Sequence, residues 1–260
     1  MGAVLQKLIP LAVGIALLGI WELSVHLTQV PIFVLPPPSA IGHALVDNFT
    51  TLMGSLWVTV RITAMAFFWA VVSGLALAIV FTRARLLEMA LYPYVVTLQV
   101  TPVVAIAPLI LIWVGFDHVD RALVIIAWIV AFFPMLTNAV QGLRSTQPQL
   151  HDVMSLAGAR WWQRLYYLEL PAALPSMLTG AKISGGLALI GAVVAEFVAG
   201  SGASTGLAWR IIEAGNRLEI ATLFAALALL SALGIALFYA LTLLEWLVLR
   251  RWHDSFAKTR

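Results

Sequence analysis

Apolar residues run through the chain in six long blocks, at 8–28, 54–81, 89–116, 122–143, 177–200 and 220–249. A helix rising 1.5 Å per residue needs about 20 apolar residues to cross a bilayer, and each block meets that length. Polar exceptions inside the blocks are few. Glu22 and His26 interrupt the first, Arg61 lies in the first third of the second, Lys182 and Glu196 lie in the fifth, and Glu245 comes late in the sixth. The third and fourth blocks carry no charge, but the third contains Pro93, Pro102 and Pro108, and kinks are expected at Pro102 and Pro108. No segment alternates in polarity as a half-buried strand does. The pattern predicts an all-α, polytopic membrane bundle of six transmembrane helices.

The connections differ in character. The connector 29–53 holds "LPPPSAIGHALVDNF", a stiff proline run followed by a short amphipathic helix. Ser39 is expected to cap that helix, and Ile41, Ala44, Leu45 and Phe49 to form its apolar face along the outer interface. The long polar stretch is "RSTQPQLHDVMSLAGARWWQRLYYLEL", 144–170. Its periodicity predicts two short helices. One covers about 147–157, with Leu150, Val153, Met154 and Ala157 on one face; the other covers about 160–169, with Trp161, Leu165 and Leu168 on one face. Gly158 separates them at a left-handed turn, and Pro171 forbids a simple continuation of the second. The unit has an apolar face and a basic rim, which suits either the lipid interface or a docked protein partner. The chain thus divides into 1–53 (first span and external connector), 54–250 (membrane core with loop 144–171) and a tail, 251–260.

Composition agrees with a membrane setting: 62% of residues are hydrophobic and only 10% are charged, against roughly 25% charged in a soluble domain. Cysteine is absent, which excludes disulfides and thiolate metal sites. The net charge of +3 gives no reason to expect nucleic acid, because the basic residues flank the spans. Six spans put both termini on one side. That side carries Lys7, Arg83, Arg85, Arg144, Arg160, Arg164, Arg250, Arg251, Lys258 and Arg260, against Arg121, Arg210 and Arg217 on the other. The positive-inside rule therefore places both termini and the 144–171 loop in the cytoplasm of a multi-pass membrane protein. The first block lacks a small-residue cleavage site and is expected to be retained as a span.

On a helical wheel of the fifth block, Ala181, Gly185, Ala188, Ala192, Glu196 and Ala199 share an arc of about 80°. Small residues in a stripe either let helices pack closely or line a space for solute. An intramembrane carboxylate such as Glu196 favours a polar interior. Lys182 lies about 21 Å along the helix from Glu196, too far to pair with it, and is placed to snorkel. Arg61 is free to pair with a carboxylate or to attract an anion. Asp117, His118 and Asp120 are too few donors on a short loop for a metal site. "TGAKIS" lacks the upstream glycine of a phosphate-binding loop, and no nucleophile constellation is present, so neither a nucleotide site nor enzymatic activity is expected of this chain.

Spacing in the polar loop resembles a family signature. Binding-protein-dependent ABC importer permeases carry Glu-Ala-Ala, three residues, Gly, nine residues, Ile, one residue and Leu-Pro in a cytoplasmic loop. Here Gly158 stands at the glycine, residues 159–167 supply the nine, Leu168 stands at the isoleucine, and Leu170-Pro171 match Leu-Pro. Asp152-Val153-Met154 occupy the Glu-Ala-Ala positions, keeping the acid but not the alanines. "TPVVAIAPLILIWVGF", "FFPMLTNAVQGL", "LPAALPSMLTGAKIS" and "VVAEFVAGSG" are similar to successive blocks of the branch serving nitrate, aliphatic sulfonates, taurine, and pyrimidine or riboflavin precursors. "TGLAWRI" resembles a Gly-Leu-Gly block with Ala208 at the second glycine.

The resemblance implies a type I importer permease fold, a homodimer, and an alternating-access pathway for a small solute between two copies. It implies a cytoplasmic ABC ATPase dimer carrying the ATP and Mg, and an extracytoplasmic substrate-binding protein. The ATPase-coupling element would comprise Asp152, Val153, Met154, Ala157, Gly158, Ala159, Arg160, Trp161, Leu168, Leu170 and Pro171. Candidate pathway residues are Gly185, Ala188, Ala192, Glu196 and Ala199, with Pro102 and Pro108 at bends. The competing reading is an ion-gradient-driven secondary transporter working through Glu196 and Lys182, which would carry inverted repeats that are not visible here.

Overall fold

The computed structural model of the chain describes residues 2–199 and 205–250, including their side chains except at 2–8 and 11. The tail 251–260 with Arg251, Lys258 and Arg260, the side chain of Lys7, and the "GSG" end of the 193–202 block lie outside the described residues. Regular structure among the described residues is helical throughout. In chain order the helices are α1 (Gly2–Thr28), α2 (Pro38–Asp47), α3 (Phe49–Arg83), α4 (Arg85–Val100), α5 (Val103–Val114), α6 (Val119–Leu143), α7 (Pro148–Leu156), α8 (Trp161–Arg164), α9 (Leu170–Ala199), α10 (Leu207–Asn216) and α11 (Ile220–Leu249). A 3₁₀ turn, Phe116–His118, leads into α6, and a π-helical turn, Leu165–Glu169, joins α8 to α9.

Among the described residues, four helical segments are long and apolar enough to cross a membrane: Phe49–Arg83, Phe116–Leu143, Trp161–Ala199 and Ile220–Leu249. The first block lies in α1, Gly2–Thr28, a single helix of 27 residues. The third block is broken into α4 and α5, which meet at 103°. The expectation of one kinked span at 89–116 is therefore corrected. The residue before a proline is pushed out of the helical region. Thr101 (ψ 127°) and Pro102 (ψ 109°) are both extended, so the chain changes course between two half-length helices. Pro93 and Pro108 stay inside α4 and α5.

Two compact units divide the chain, Met1–Val58 with Thr205–Ser231, and Thr59–Ser204 with Ala232–Arg260. This line differs from a division at residue 53, because α10 and the start of α11 group with the N-terminal helices. In the first unit Leu52, Leu207, Ala225 and Ala226 form a core, and Ile41, Ala44 and Leu45 of α2 pack on it. Phe49 does not join that face; it begins α3 and is exposed. Ser39 is also not a cap. Proline at 37 and 38 sets the start of α2, and Ser39 instead donates its backbone N–H (3.0 Å) and hydroxyl (2.7 Å) to the Glu22 carboxylate. Glu22 thereby satisfies an N-terminal donor of α2, where a negative charge is favoured. Arg210 and Arg217 both pair with Glu213, at 2.5 and 2.9 Å.

The second unit is organised by α6 and α9, which run antiparallel at close range. Gly142 faces Ala173 and Ser176, Gly180 faces Asn138, and Gly191 faces Ala127. A Cβ at Gly180 or Gly191 would come within 2.7 or 2.8 Å of the facing residue, so these glycines set the helix separation. At one end, Ala78, Phe81, Met135, Leu136, Ala139, Leu143, Ala173 and Met177 form a buried cluster.

Candidate functional site

Residues 144–171 form a helix–turn–helix whose turn geometry follows from one glycine. α7 ends at Leu156, and Gly158 adopts φ +66°, where only glycine is free of a Cβ penalty. The Gly158 N–H bonds to Ser155 O at 3.0 Å and the Ala159 N–H to Met154 O at 2.9 Å. That pair of bonds is a Schellman motif, which satisfies the last carbonyls of α7. The chain then restarts at once. Arg160 N–H donates to Gln163 Oε1 at 2.7 Å, a capping interaction at the start of α8. Arg164 Nε donates to Ala159 O at 3.1 Å and ties the second helix back to the turn.

The helical path does not continue regularly up to Pro171, which lies in the first turn of α9. Trp161–Ala199 is one continuous helical segment. Proline lacks an N–H and clashes with the carbonyl four residues back in a regular helix. The π turn Leu165–Glu169 lies just before it and bonds the Leu170 N–H to Leu165 O, widening the coil where the proline ring must fit.

Exposure divides the loop into a root and a crown. Leu165 and Leu170 pack on the buried cluster of α3, α6 and α9. Glu169 is buried in the π turn and accepts a hydrogen bond from the guanidinium of Arg83, the last residue of α3. Arg144, just after α6, pairs with Glu88 of α4 at 2.6 Å. The crown is open: Leu156 is 90% exposed, and Val153, Trp161, Trp162, Tyr166 and Tyr167 are exposed with it. Asp152, Ala157 and Arg160 are also exposed, while Met154, Ala159 and Leu168 are half-buried. The expected apolar face of α7 thus splits, with Met154 turned inward and Leu150 and Val153 outward.

The small-residue stripe of α9 has a different outcome. Ala188, Ala192 and Glu196 are completely buried within the chain and Ala199 nearly so. Gly185 is buried against α11, where a Cβ would lie 2.4 Å from Leu241 Cδ1. Within the folded chain these five positions pack against neighbouring helices, the close approach that a stripe of small residues permits. Pro102 and Pro108 remain exposed. Glu196 accepts a 2.8 Å hydrogen bond from Thr59 Oγ1 on α3. Lys182 does not snorkel: its Nζ lies 2.7 Å from Glu245 of α11 and 5.8 Å from the Phe238 ring centroid. Arg61 pairs with Asp120 across α3 and α6. Lys182–Glu245, Arg83–Glu169 and helix α10 were missed by sequence reasoning. The ion pairs join distant residues, whereas α10 is as long as α2 and strongly amphipathic, so its signal was present in the sequence.

Residues 70–248 match the family described as binding-protein-dependent transport system inner membrane component. Three curated proteins are similar over nearly the whole chain. A riboflavin transport system permease protein of Chloroflexus aurantiacus is 35% identical over 92% of this chain and 88% of its own length. A formylaminopyrimidine transport permease protein of Halalkalibacterium halodurans is 33% identical over 94% and 96%. A putative aliphatic sulfonates transport permease protein of Bacillus subtilis is 30% identical over 92% and 86%.

Proposed function

The chain belongs to the binding-protein-dependent transport system inner membrane components, the permeases of ABC importers, and from that premise we propose that two copies of it form the pathway of an ATP-driven importer. The solute is a small organic or inorganic anion, such as a sulfonate, taurine or nitrate, or a vitamin or pyrimidine precursor; similarity to permeases named for riboflavin, formylaminopyrimidine and aliphatic sulfonates supports the organic part of this range. ATP and Mg are held by a cytoplasmic ATPase dimer, and an extracytoplasmic binding protein delivers the solute.

The observation that carries the coupling role is the contrast within residues 144–171. The crown exposes Leu156, Trp161, Trp162, Tyr166 and Tyr167. Aromatic and apolar side chains of this kind are enriched in the cores of protein interfaces. The root is continuous with α9 and tied to α3 through Glu169 and Arg83. A push on the crown is therefore delivered to two membrane helices together. Nucleotide-driven closure of the ATPase moves the loop, α3 and α9 follow, and the pathway between the two copies changes sides. The break at Thr101–Pro102, with exposed Pro102 and Pro108, is the element we assign to gating.

Co-purification from native membranes in mild detergent tests this reading, with Gly158→Pro in parallel. Recovery of an ATPase subunit with the wild type and its loss with the variant is the expected result. Transport that needs no ATPase, follows a proton or sodium gradient and fails in Glu196→Gln would overturn it in favour of a secondary transporter.

A further inference from the structure

We propose that the groove between α3 and α6 binds an anionic phospholipid, with its headgroup at Arg61 and Arg121 and an acyl chain along the tryptophans. The groove encloses about 530 Å³ and is lined by these two helices alone. Its polar groups are sorted by depth. Arg61, Asp120 and Arg121 sit together at one end, and Met65, Trp69, Ile125 and Trp128 line the way down. At the far end the Trp128 Nε1–H donates to Ser73 Oγ at 2.9 Å. Those two groups satisfy each other and present no charge.

Length and charge specify the occupant. From Arg61 to Ser73 helix α3 advances about 18 Å, close to the roughly 15 Å that one leaflet contributes to the hydrocarbon core. Both walls belong to segments that cross the membrane, so the open side of the groove faces acyl chains. Trp69 and Met65 are 51% and 46% exposed there. At the rim, Asp120 is engaged by Arg61, whereas no acidic partner of Arg121 occurs among the described residues. Two guanidinium groups and one carboxylate leave one positive charge. A ligand with one negative head and an aliphatic tail matches both ends, and guanidinium hydrogen bonds to phosphate oxygens are strong. The site uses no part of the 144–171 loop and stands whether or not an ATPase partner exists.

Tryptophan quenching tests the proposal. The full-length protein is placed in nanodiscs of phosphatidylcholine, doped with phosphatidylglycerol or additional phosphatidylcholine, the doped lipid carrying bromine on its acyl chain. Brominated phosphatidylglycerol is expected to quench more strongly than its choline counterpart. The excess should disappear in the Trp69→Phe/Trp128→Phe variant, and half-quenching should need about fivefold more lipid in Arg121→Gln. Ile125→Trp, which fills the groove, should abolish the headgroup preference with Arg121 intact. Equal quenching by both lipids would show an ordinary lipid face and overturn the proposal. So would protection of both tryptophans from either lipid, the mark of a second protein chain on the groove. Displacement of brominated phosphatidylglycerol by a soluble alkylsulfonate that also binds the protein in pure phosphatidylcholine would overturn it and assign the groove to a solute instead.

Discussion

Thr59 Oγ1 donates a 2.8 Å hydrogen bond to Glu196 Oε1, joining α3 to α9 at a point where both residues are fully buried. A carboxylate at such depth is costly unless its oxygens are engaged. Replacing Glu196 by alanine removes the acceptor of a buried hydroxyl, a loss of about 1–3 kcal/mol. Glutamine keeps a carbonyl oxygen in nearly the same place. Thermal unfolding in detergent should rank wild type above Glu196→Gln and Glu196→Gln above Glu196→Ala; an unchanged Tm for the alanine variant would remove this bond from the account of stability.

The α6–α9 contact makes a second prediction. A Cβ at Gly191 would lie 2.8 Å from Ala127 Cα and 3.2 Å from Ala127 O, so backbone must move to admit it. Overpacking of this kind costs about 1–3 kcal/mol. Gly186, on the same helix, meets nothing within 4 Å. Gly191→Ala should lower the melting temperature of the detergent-solubilised protein, while Gly186→Ala, with free space for its Cβ inside a helix, should raise it slightly. Equal effects would mean that glycine content, not helix separation, is what matters.

Crown residues of the loop should separate binding from folding. Leu156 and Trp161 are 90% and 62% exposed, so Leu156→Asp and Trp161→Ala remove little internal packing. Interface anchors are worth about 2 kcal/mol or more each. Each variant should therefore weaken ATPase association by more than about tenfold at unchanged Tm. Pull-down titration with the purified ATPase measures the first quantity and thermal unfolding the second.

For Arg83 and Glu169 the informative comparison is between single and double variants. Glu169 is the buried partner, and breaking one side of such a pair leaves a charge uncompensated, at about 3–5 kcal/mol. Arg83→Met/Glu169→Gln removes both charges and should be more stable than Glu169 facing Arg83→Met alone. A double-variant cycle of melting temperatures measures this. Additive losses would show that the two side chains act independently.

Much of this arrangement is visible in the sequence, and the remainder is hidden for physical reasons. The blocks at 54–81, 122–143, 177–200 and 220–249 and the two short helices around Gly158 are helical in the structure, because each depends on residues close together in the chain. A helical wheel placed Gly185, Ala188, Ala192 and Glu196 on one face, but packing and pore lining produce the same wheel. The neighbours, Leu241 against Gly185 and Thr59 against Glu196, come from distant parts of the chain and are invisible on the wheel. Proline count predicted kinks in the third block. It did not reveal that Thr101 and Pro102 are both extended, which turns a kink into a break. Lys182 and Glu245 are 63 residues apart, and their pairing exists only once α9 and α11 are side by side.

The π turn at Leu165–Glu169 carries a consequence for helical phase. Each α-helical residue advances about 100° around the axis, and a π turn fits an additional residue into the coil. Side chains before and after it are therefore out of step with a single wheel drawn through Trp161–Ala199. Azimuth, and not composition alone, decides which way Trp161 and Tyr166 point relative to the buried face of α9. Deleting Leu168 would swing the crown by about 100° without removing any of its exposed side chains. The loop's aim is thus stored in the residue count of one turn.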